Sequence, residues 1–269
     1  RCAGCEWTEG AGAGLVPAGA GDCLAESLKL GKLIRAKDGI LVPEKVFQEM
    51  RLPESFRCRG ILFDMDGVLI RSTEADARTW LRWARLRGME NSFSIEATHG
   101  RRSIDTLREL RPDLDAEQEA LVLEELDVQE LHGVTQLPGV AALLAAIPED
   151  SRGVVTSAST RLMQNRLRAA GLMAPKHAVT ADMVVHGKPH PEPYLLGAAM
   201  LGLAPADCLV IEDAPAGVAS GLAAGCRVLG VLTSHTAAEL QRADWLADAL
   251  TQVRVSNQGD GWMAVDFDE

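Results

Sequence analysis

Apolar positions along the chain gather in short continuous runs bounded by turn residues, the pattern of strands buried on both faces. Four runs stand out: "GILFD" at 60–64, "GVVTS" at 153–157, "CLVIE" at 208–212 and "RVLGV" at 227–231. Between them the apolar spacing lengthens to that of a helix. "TRLMQNRLRAAG" sets Leu162, Arg166 and Ala169 at helical spacing and ends in Gly171, a natural helix stop. "PAGVASGLAAG" at 215–225 is a small-residue helix with the same ending. Strands separated by helices predict an α/β fold, with a parallel sheet and right-handed crossovers.

Residues 75–137 break this rhythm. "ADARTWLRWARLRG", "SIDTLRELR" and "DAEQEALVLEELDVQELHG" are amphipathic helices with no strand between them. Trp80, Trp83 and Ala84 share one face, which makes the tryptophans packing residues of an inserted all-helical domain. The tail "VRVSNQGDGWMAV" alternates about a Gly- and Asn-rich turn and predicts a hairpin. The first 49 residues differ from the rest. "EGAGAGLVPAGAGD" is too rich in Gly and Ala to build a core. "CLAESLKLGKLI" predicts a short helix, and "DGILVPEKVF" a turn followed by an extended piece. Residues 1–49 are therefore set apart as an extension, and Met50, directly before the compact part, is a candidate initiator.

Composition narrows the function. The 269 residues are 47% hydrophobic and 24% charged, ordinary for a globular chain. Lys and Arg number 27 against 38 Asp and Glu, a formal net charge of -11. That balance argues against nucleic acid as a partner, because phosphate neutralisation needs basic surface. No run of 18 apolar residues and no signal-peptide layout is present, so neither a membrane partner nor secretion is expected. Six cysteines show no disulfide framework, and Cys2 and Cys5 form a lone C-x-x-C without a second pair at zinc spacing. The expected location is the reducing cytoplasm.

The chemistry gathers where the predicted strands end, the edge at which open α/β sheets place their sites. The first strand ends in Asp64, with Asp66 and Gly67 just beyond. Residues two apart in an extended chain point to one side, so both carboxylates can meet one site, where their repulsion calls for a cation. The second strand ends in Thr156 and Ser157, and the third in Glu212 and Asp213. Lys188 lies between Gly187 and Pro189 in the intervening loop. Carboxylates of Asp64 and Asp213 suit Mg²⁺, a hard oxygen-seeking cation. Lys188 and the Ser157 hydroxyl offer a charge and a donor to a phosphoryl group, and main-chain N–H groups after Asp64 can cradle it. One of the paired aspartates can attack phosphorus while the other moves protons. Each piece has a plainer reading: an acidic turn, a helix cap at Ser157, a solvated loop lysine. Their order on successive strand–loop units is what favours the chemical one.

With these residues in place the chain resembles the haloacid dehalogenase-like phosphohydrolases over residues 57–269. "DMDGV", "VVTSAS", "GKPHPEPY" and "VIEDAPAGVASGLAAG" match that family's four motifs in order. The resemblance implies a Rossmann-like core from 57–74 and 138–269 and a helical cap from 75–137. It makes Asp64 the nucleophile and Asp66 the acid/base, and it sets Met65, Ser157, Ala158 and Lys188 around the phosphoryl group. It implies Mg²⁺ held by Asp64, the Asp66 carbonyl and Asp213, with Glu212 close by. Within the family, "HGRRSIDTLREL" and "GKPHPEPYLLGAAMLGLAP" are most similar to small sugar and polyol phosphatases acting on hexitol, 2-deoxyglucose or glycerol phosphates. The substrate expected is therefore a small phosphorylated sugar or polyol. Arg102 in the cap then either contacts that substrate or is a solvated helix start. Related sequences often read Asp-Ser after the first motif, where this chain has Arg71-Ser72. The rival reading is a β-phosphoglucomutase-like mutase, which carries a His and a Lys where this chain has Asp76 and Thr160. The sequence leaves the particular sugar and the oligomeric state open.

Overall fold

The structure is a computed structural model that describes residues 55–89, 93–94, 98 and 100–267, together with four short strands nearer the start. Residues 1–51 form a unit of their own. In it Trp7–Thr8 pairs with Val16–Pro17, and Leu33–Arg35 with Leu41–Pro43. The helix expected over 23–34 therefore does not reach its predicted end, because Leu33 and Ile34 lie in a strand. The extended piece appears at Leu41–Pro43. Cys2 and Cys5 lie outside the described residues.

The second unit, residues 52–269, holds the expected α/β architecture. Its elements are β1 (Ser55–Cys58), β2 (Gly60–Phe63), β3 (Ile70–Arg71), α1 (Thr73–Leu86), α2 (Ser103–Leu110), α3 (Ala116–Gln129), β4 (Thr135–Gln136), α4 (Val140–Ala146), β5 (Arg152–Val155), α5 (Thr160–Ala169), β6 (Ala178–Val179), α6 (Glu192–Met200), β7 (Cys208–Glu212), α7 (Pro215–Ala223), β8 (Arg227–Val231), β9 (Trp245–Ala247), β10 (Val253–Asn257) and β11 (Met263–Phe267). Six strands make one parallel sheet in the order β6-β5-β2-β7-β8-β9. The chain builds outward from β2 to one side, then crosses back and builds to the other. β2 is thus the switch point, and its C-terminal end opens on the crevice between two diverging crossovers.

The four apolar runs are strands because each is buried from both sides. Ile61, Phe63, Leu209 and Ile211 join one core cluster with Val140 and Leu143 of α4 and Leu162 and Leu167 of α5. Leu62, Val155, Val210 and Val228 face the opposite cluster with Tyr194 of α6 and Val218 of α7. Helices therefore cover both faces. The hairpin β10–β11 forms as expected, and β1 joins it as a third antiparallel strand. Strands β1, β6 and β9 and helices α4 and α6 were not singled out in the sequence.

Helices α1 to α3 form the inserted cap around a separate apolar centre of Trp80, Trp83, Ala84, Leu107, Leu123 and Leu126. Trp80 and Trp83 meet edge to face at 5.7 Å. Trp83 Nε1 donates to Glu119 at 2.8 Å, and Arg87 pairs with the same carboxylate through two bonds of 2.9 and 2.8 Å. The cap leaves and rejoins the core through a two-stranded ribbon, β3 against β4, with Ile70 opposite Gln136 and Arg71 opposite Thr135. Strands of two residues carry no readable periodicity, so the sequence did not announce this ribbon.

Candidate active site

Asp64 begins where β2 ends. Its N–H still continues the sheet, donating to the Ile211 carbonyl at 2.9 Å. Beyond it the chain folds into a tight loop in which the Met65 carbonyl accepts from Leu69 at 2.8 Å and Ile70 at 3.0 Å. Gly67 is needed there: its φ is +79°, and a Cβ would stand 1.8 Å from Asp213 Oδ2. The small residue lets the first loop close against the acid from β7.

Lys188 comes from the loop after β6 and is buried. Its Nζ donates to Asp64 Oδ1 at 2.6 Å, to Glu212 Oε1 at 2.7 Å and to the Val155 carbonyl at 2.9 Å. All three ammonium hydrogens thus have acceptors. Glu212 is saturated as well. Its Oε1 also accepts from Tyr194 at 2.8 Å, while Oε2 accepts from the N–H groups of Asp213 and Ala214 at 3.0 and 3.2 Å. A Cβ at Gly217 would fall 1.7 Å from Glu212 Oε1, so helix α7 can start beside this carboxylate only with glycine there.

Burial sets the electrostatics. It pushes the Asp64 carboxyl up to about 7, against the pull of Lys188. It also drives Asp213 well above the carboxylate range, with the charges of Asp64 and Glu212 adding to the effect. Burial alone disfavours a charged Lys188, yet Asp64 and Glu212 hold its pKa above the ordinary lysine value. One ammonium therefore faces three clustered acids. Oxygens of Asp64, Glu212 and Asp213 lie within 4.8 Å of one another. This hard-oxygen set, with one buried lysine to balance it, fits a divalent cation.

Asp66 stands at the rim of the same cavity, which Asp64, Asp213, Ser157 and Ala158 also line. Its Oδ1 accepts from Ser72 Oγ at 2.6 Å and from Arg166 at 2.8 Å. The other predicted residues separate on closer view. Met65 turns its side chain into the core, so only its main chain can meet a ligand. Ala158 lines the cavity, but its N–H donates to Thr156 Oγ1 at 3.0 Å. Ser157 does not cap the helix that follows; its hydroxyl donates to the Gly100 carbonyl of the cap at 3.2 Å. Ser159 is the cap of α5, accepting from Leu162.

Arg102 is corrected on one of its expected readings, the solvated helix start. It is 8% exposed, so it is not solvated. It is absent from the lining of the Asp64 cavity but lines the neighbouring ones, with Ser157 and Ala158 in one and Lys188 in another. It pairs with Asp105 at 2.7 and 3.0 Å and reaches the Val184 and Val185 carbonyls of the core, each at 3.0 Å. Arg102 thereby ties the cap to the loop that carries Lys188. Its neighbour Arg101 lines the cavity and pairs with Glu109. His99 lies outside the described residues.

Several residues of the site escaped the sequence reading. Ser234 donates to the Asp213 carboxylate, and His235 Nδ1 lies 2.9 Å from the Asp213 carbonyl. Arg166 and Asp127 also line the cavity, as does Asp76, which the sequence marked only as the counterpart of a mutase histidine. The available signal was an arginine on the packing face of α5, beside Leu162, where a charged group needs a buried partner.

Residues 58–225 match the family model "haloacid dehalogenase-like hydrolase". The chain is 43% identical over 213 residues to hexitol phosphatase A of Escherichia coli, covering 76% of this chain and 97% of that one. It is 34% identical over 194 residues to glycerol-1-phosphate phosphohydrolase 2 of Saccharomyces cerevisiae, covering 68% and 78% of the two. Among solved structures, a hydrolase from Pseudomonas syringae superposes with a TM-score of 0.64 at 24% identity, over 71% of this chain and 94% of that one; at that identity the likeness is one of fold.

Proposed function

The chain belongs to the haloacid dehalogenase-like hydrolases, and we propose that it is a Mg²⁺-dependent phosphatase that hydrolyses a small sugar or polyol phosphate through a phosphorylated Asp64. The observation that carries the reaction is the contact of Lys188 with Asp64 at the sheet's switch point, under the cap and beside Asp213. The substrate class rests on the relatives, whose names specify hexitol and glycerol-1-phosphate.

In this reading Asp64 attacks phosphorus and the ester P–O bond breaks. Asp66 gives its proton to the departing alkoxide. Asp66 then takes a proton from water as that water attacks the aspartyl phosphate, which frees inorganic phosphate and restores Asp64. Lys188 offsets the charge of Asp64 and of the incoming phosphate. Ser157 would exchange the Gly100 carbonyl for a phosphoryl oxygen, the Met65 main chain would hold another, and Ala158, its N–H given to Thr156, shapes the cavity wall. Asp64, Asp213 and the Asp66 carbonyl would hold Mg²⁺. Glu212 belongs to the same cluster, but its oxygens already accept four hydrogen bonds, so its part is to set Lys188 in place. When bound, the ion neutralises the acids and the phosphate dianion.

A mutase would need groups that return the phosphoryl group to a second position of the sugar. Thr160 is bound to Asp182 and Thr180, each at 2.8 Å, and stays out of the cavity. Asp76 is in the cavity but paired with Arg166. Both placements favour hydrolysis. Buried free thiols at Cys58, Cys208 and Cys226 are in keeping with a cytoplasmic location.

The test is a screen of phosphorylated sugars and polyols, ranked by kcat/KM from phosphate release. Hexitol and glycerol phosphates should head the ranking, and Asp64→Asn should remove turnover on all of them while the fold survives. With β-glucose 1-phosphate and a trace of the 1,6-bisphosphate, phosphate should accumulate; glucose 6-phosphate appearing faster would establish the mutase instead.

A further inference from the structure

Arg166 sits on core helix α5 with a side chain only 3% exposed. Its Nη1 donates to Asp66 Oδ1 at 2.8 Å. Its Nη2 donates to Asp76 of cap helix α1, and to Asp127 of cap helix α3 at 3.3 Å. Ser72 strengthens the same network, donating to Asp66 Oδ1 at 2.6 Å, with Asp76 Oδ2 lying 3.3 Å from the same hydroxyl. One guanidinium thus joins the first loop of the core to two helices of the cap, across 100 residues of chain.

Fold stability is a poor reason for this cluster. A buried ion pair gains little over an apolar substitute of the same size, and here one cation serves three carboxylates. Burial pushes Asp76 up to about 7 and Asp127 up to about 6 even though Arg166 pulls both down. The Nε–H of Arg166 has no partner among the described residues, a further cost. Such an arrangement is expected where it serves chemistry.

We propose that Arg166 is a positioning residue for Asp66: its guanidinium, anchored by Asp76 and Asp127 of the cap, fixes the orientation of the carboxyl that exchanges protons with the leaving group and water. Two donors on Oδ1 restrict rotation of the Asp66 side chain and leave Oδ2 to transfer the proton. A displacement of about 1 Å at such a group is worth on the order of 100-fold in rate. Two of the anchors belong to the cap, so the guanidinium that holds this carboxyl is itself held from the cap side. The inference rests on the reading of Asp66 as acid/base.

The experiment compares kcat/KM for p-nitrophenyl phosphate and phenyl phosphate in the Mg²⁺-loaded full chain. Both are small aryl esters, but phenolate leaves poorly and needs a proton donor. Wild type, Arg166→Met, Arg166→Lys and Asp66→Asn are measured, with near-UV circular dichroism as the check on folding. Arg166→Lys keeps the charge if Arg166→Met fails to fold. Asp66→Asn should lose more activity on phenyl phosphate than on p-nitrophenyl phosphate. Folded Arg166 variants should do the same, with an extra loss of about tenfold on phenyl phosphate. Equal losses on both esters would make Arg166 merely structural and overturn the inference, as would unchanged rates or failure of both variants to fold. If Asp66→Asn itself shows no leaving-group dependence, the acid/base reading falls first and takes the inference with it. Discrimination by Asp66→Asn alone leaves that reading intact and rejects the role of Arg166.

Discussion

Lys188 and Asp64 stand 124 residues apart in the chain and 2.6 Å apart in the fold, Nζ to Oδ1. Both are buried, so neither can be removed without leaving the other's charge in a poor solvent. Lys188→Met should cost about 3–5 kcal/mol of stability, the usual penalty for stripping one partner from a buried ion pair. It should also abolish phosphatase activity under conditions where the variant is still folded. Urea denaturation measures the first effect, and phosphate release below the transition measures the second. A stable, active variant would remove Lys188 from the site.

Asp64 and Asp213 crowd together with Glu212 around that one ammonium. Mg²⁺ should therefore raise the melting temperature by binding the native state, and Asp213→Asn should weaken that rise. EDTA should abolish activity, Mg²⁺ should restore it, and Ca²⁺ should restore it poorly, because its looser coordination misplaces the acids. Full activity after exhaustive chelation would refute the cation.

Glu119 is the polar centre of the cap, accepting from Trp83 and twice from Arg87. Glu119→Ala strands a buried indole N–H and part of a guanidinium. A loss of about 2–3 kcal/mol is expected, read from denaturant midpoints, and a loss under about 0.5 kcal/mol would show that water or a neighbour replaces the carboxylate.

Burial pushes the thiols of Cys58 and Cys226 up to about 12 and that of Cys208 up to about 11, from an ordinary 9.0. Since the thiolate is the reactive form, iodoacetamide at pH 8 should leave these three unlabelled in the native protein and label them in urea, as peptide mass spectrometry would report. The folded state keeps these protons longer than the unfolded state does. Their contribution to stability is therefore constant below about pH 9 and is lost as pH climbs beyond it.

Residues 1–51 and 52–269 are separate units, and the larger one begins its own sheets at Ser55. A chain starting at Met50 should keep the melting temperature and kcat/KM of the whole. A marked fall in either would assign the first 49 residues a part in the enzyme.

Features that depend on local pattern were legible in the residues alone. Continuous apolar runs fixed the central strands β2, β5, β7 and β8, since a strand covered by helices on both faces has no polar side to show. The lengthened period between Ala75 and His132 marked the helical cap. The order of Asp64, Ser157, Lys188 and Asp213 along successive strand–loop units was enough to bring the chemistry to one edge of the sheet. Tertiary structure alone decided what each polar side chain touches. Arg102 and Arg166 look alike in sequence, each a basic residue on or beside a helix. One is spent on Asp105 and two carbonyls of the core, the other on Asp66 and two acids of the cap. The edge strands β6 and β9 and the two-residue ribbon β3–β4 were equally out of reach. Short elements take their conformation from neighbours distant in the chain, and a buried charge takes its partner from whichever element the fold lays against it. Neither choice leaves a periodic trace in the residues around it.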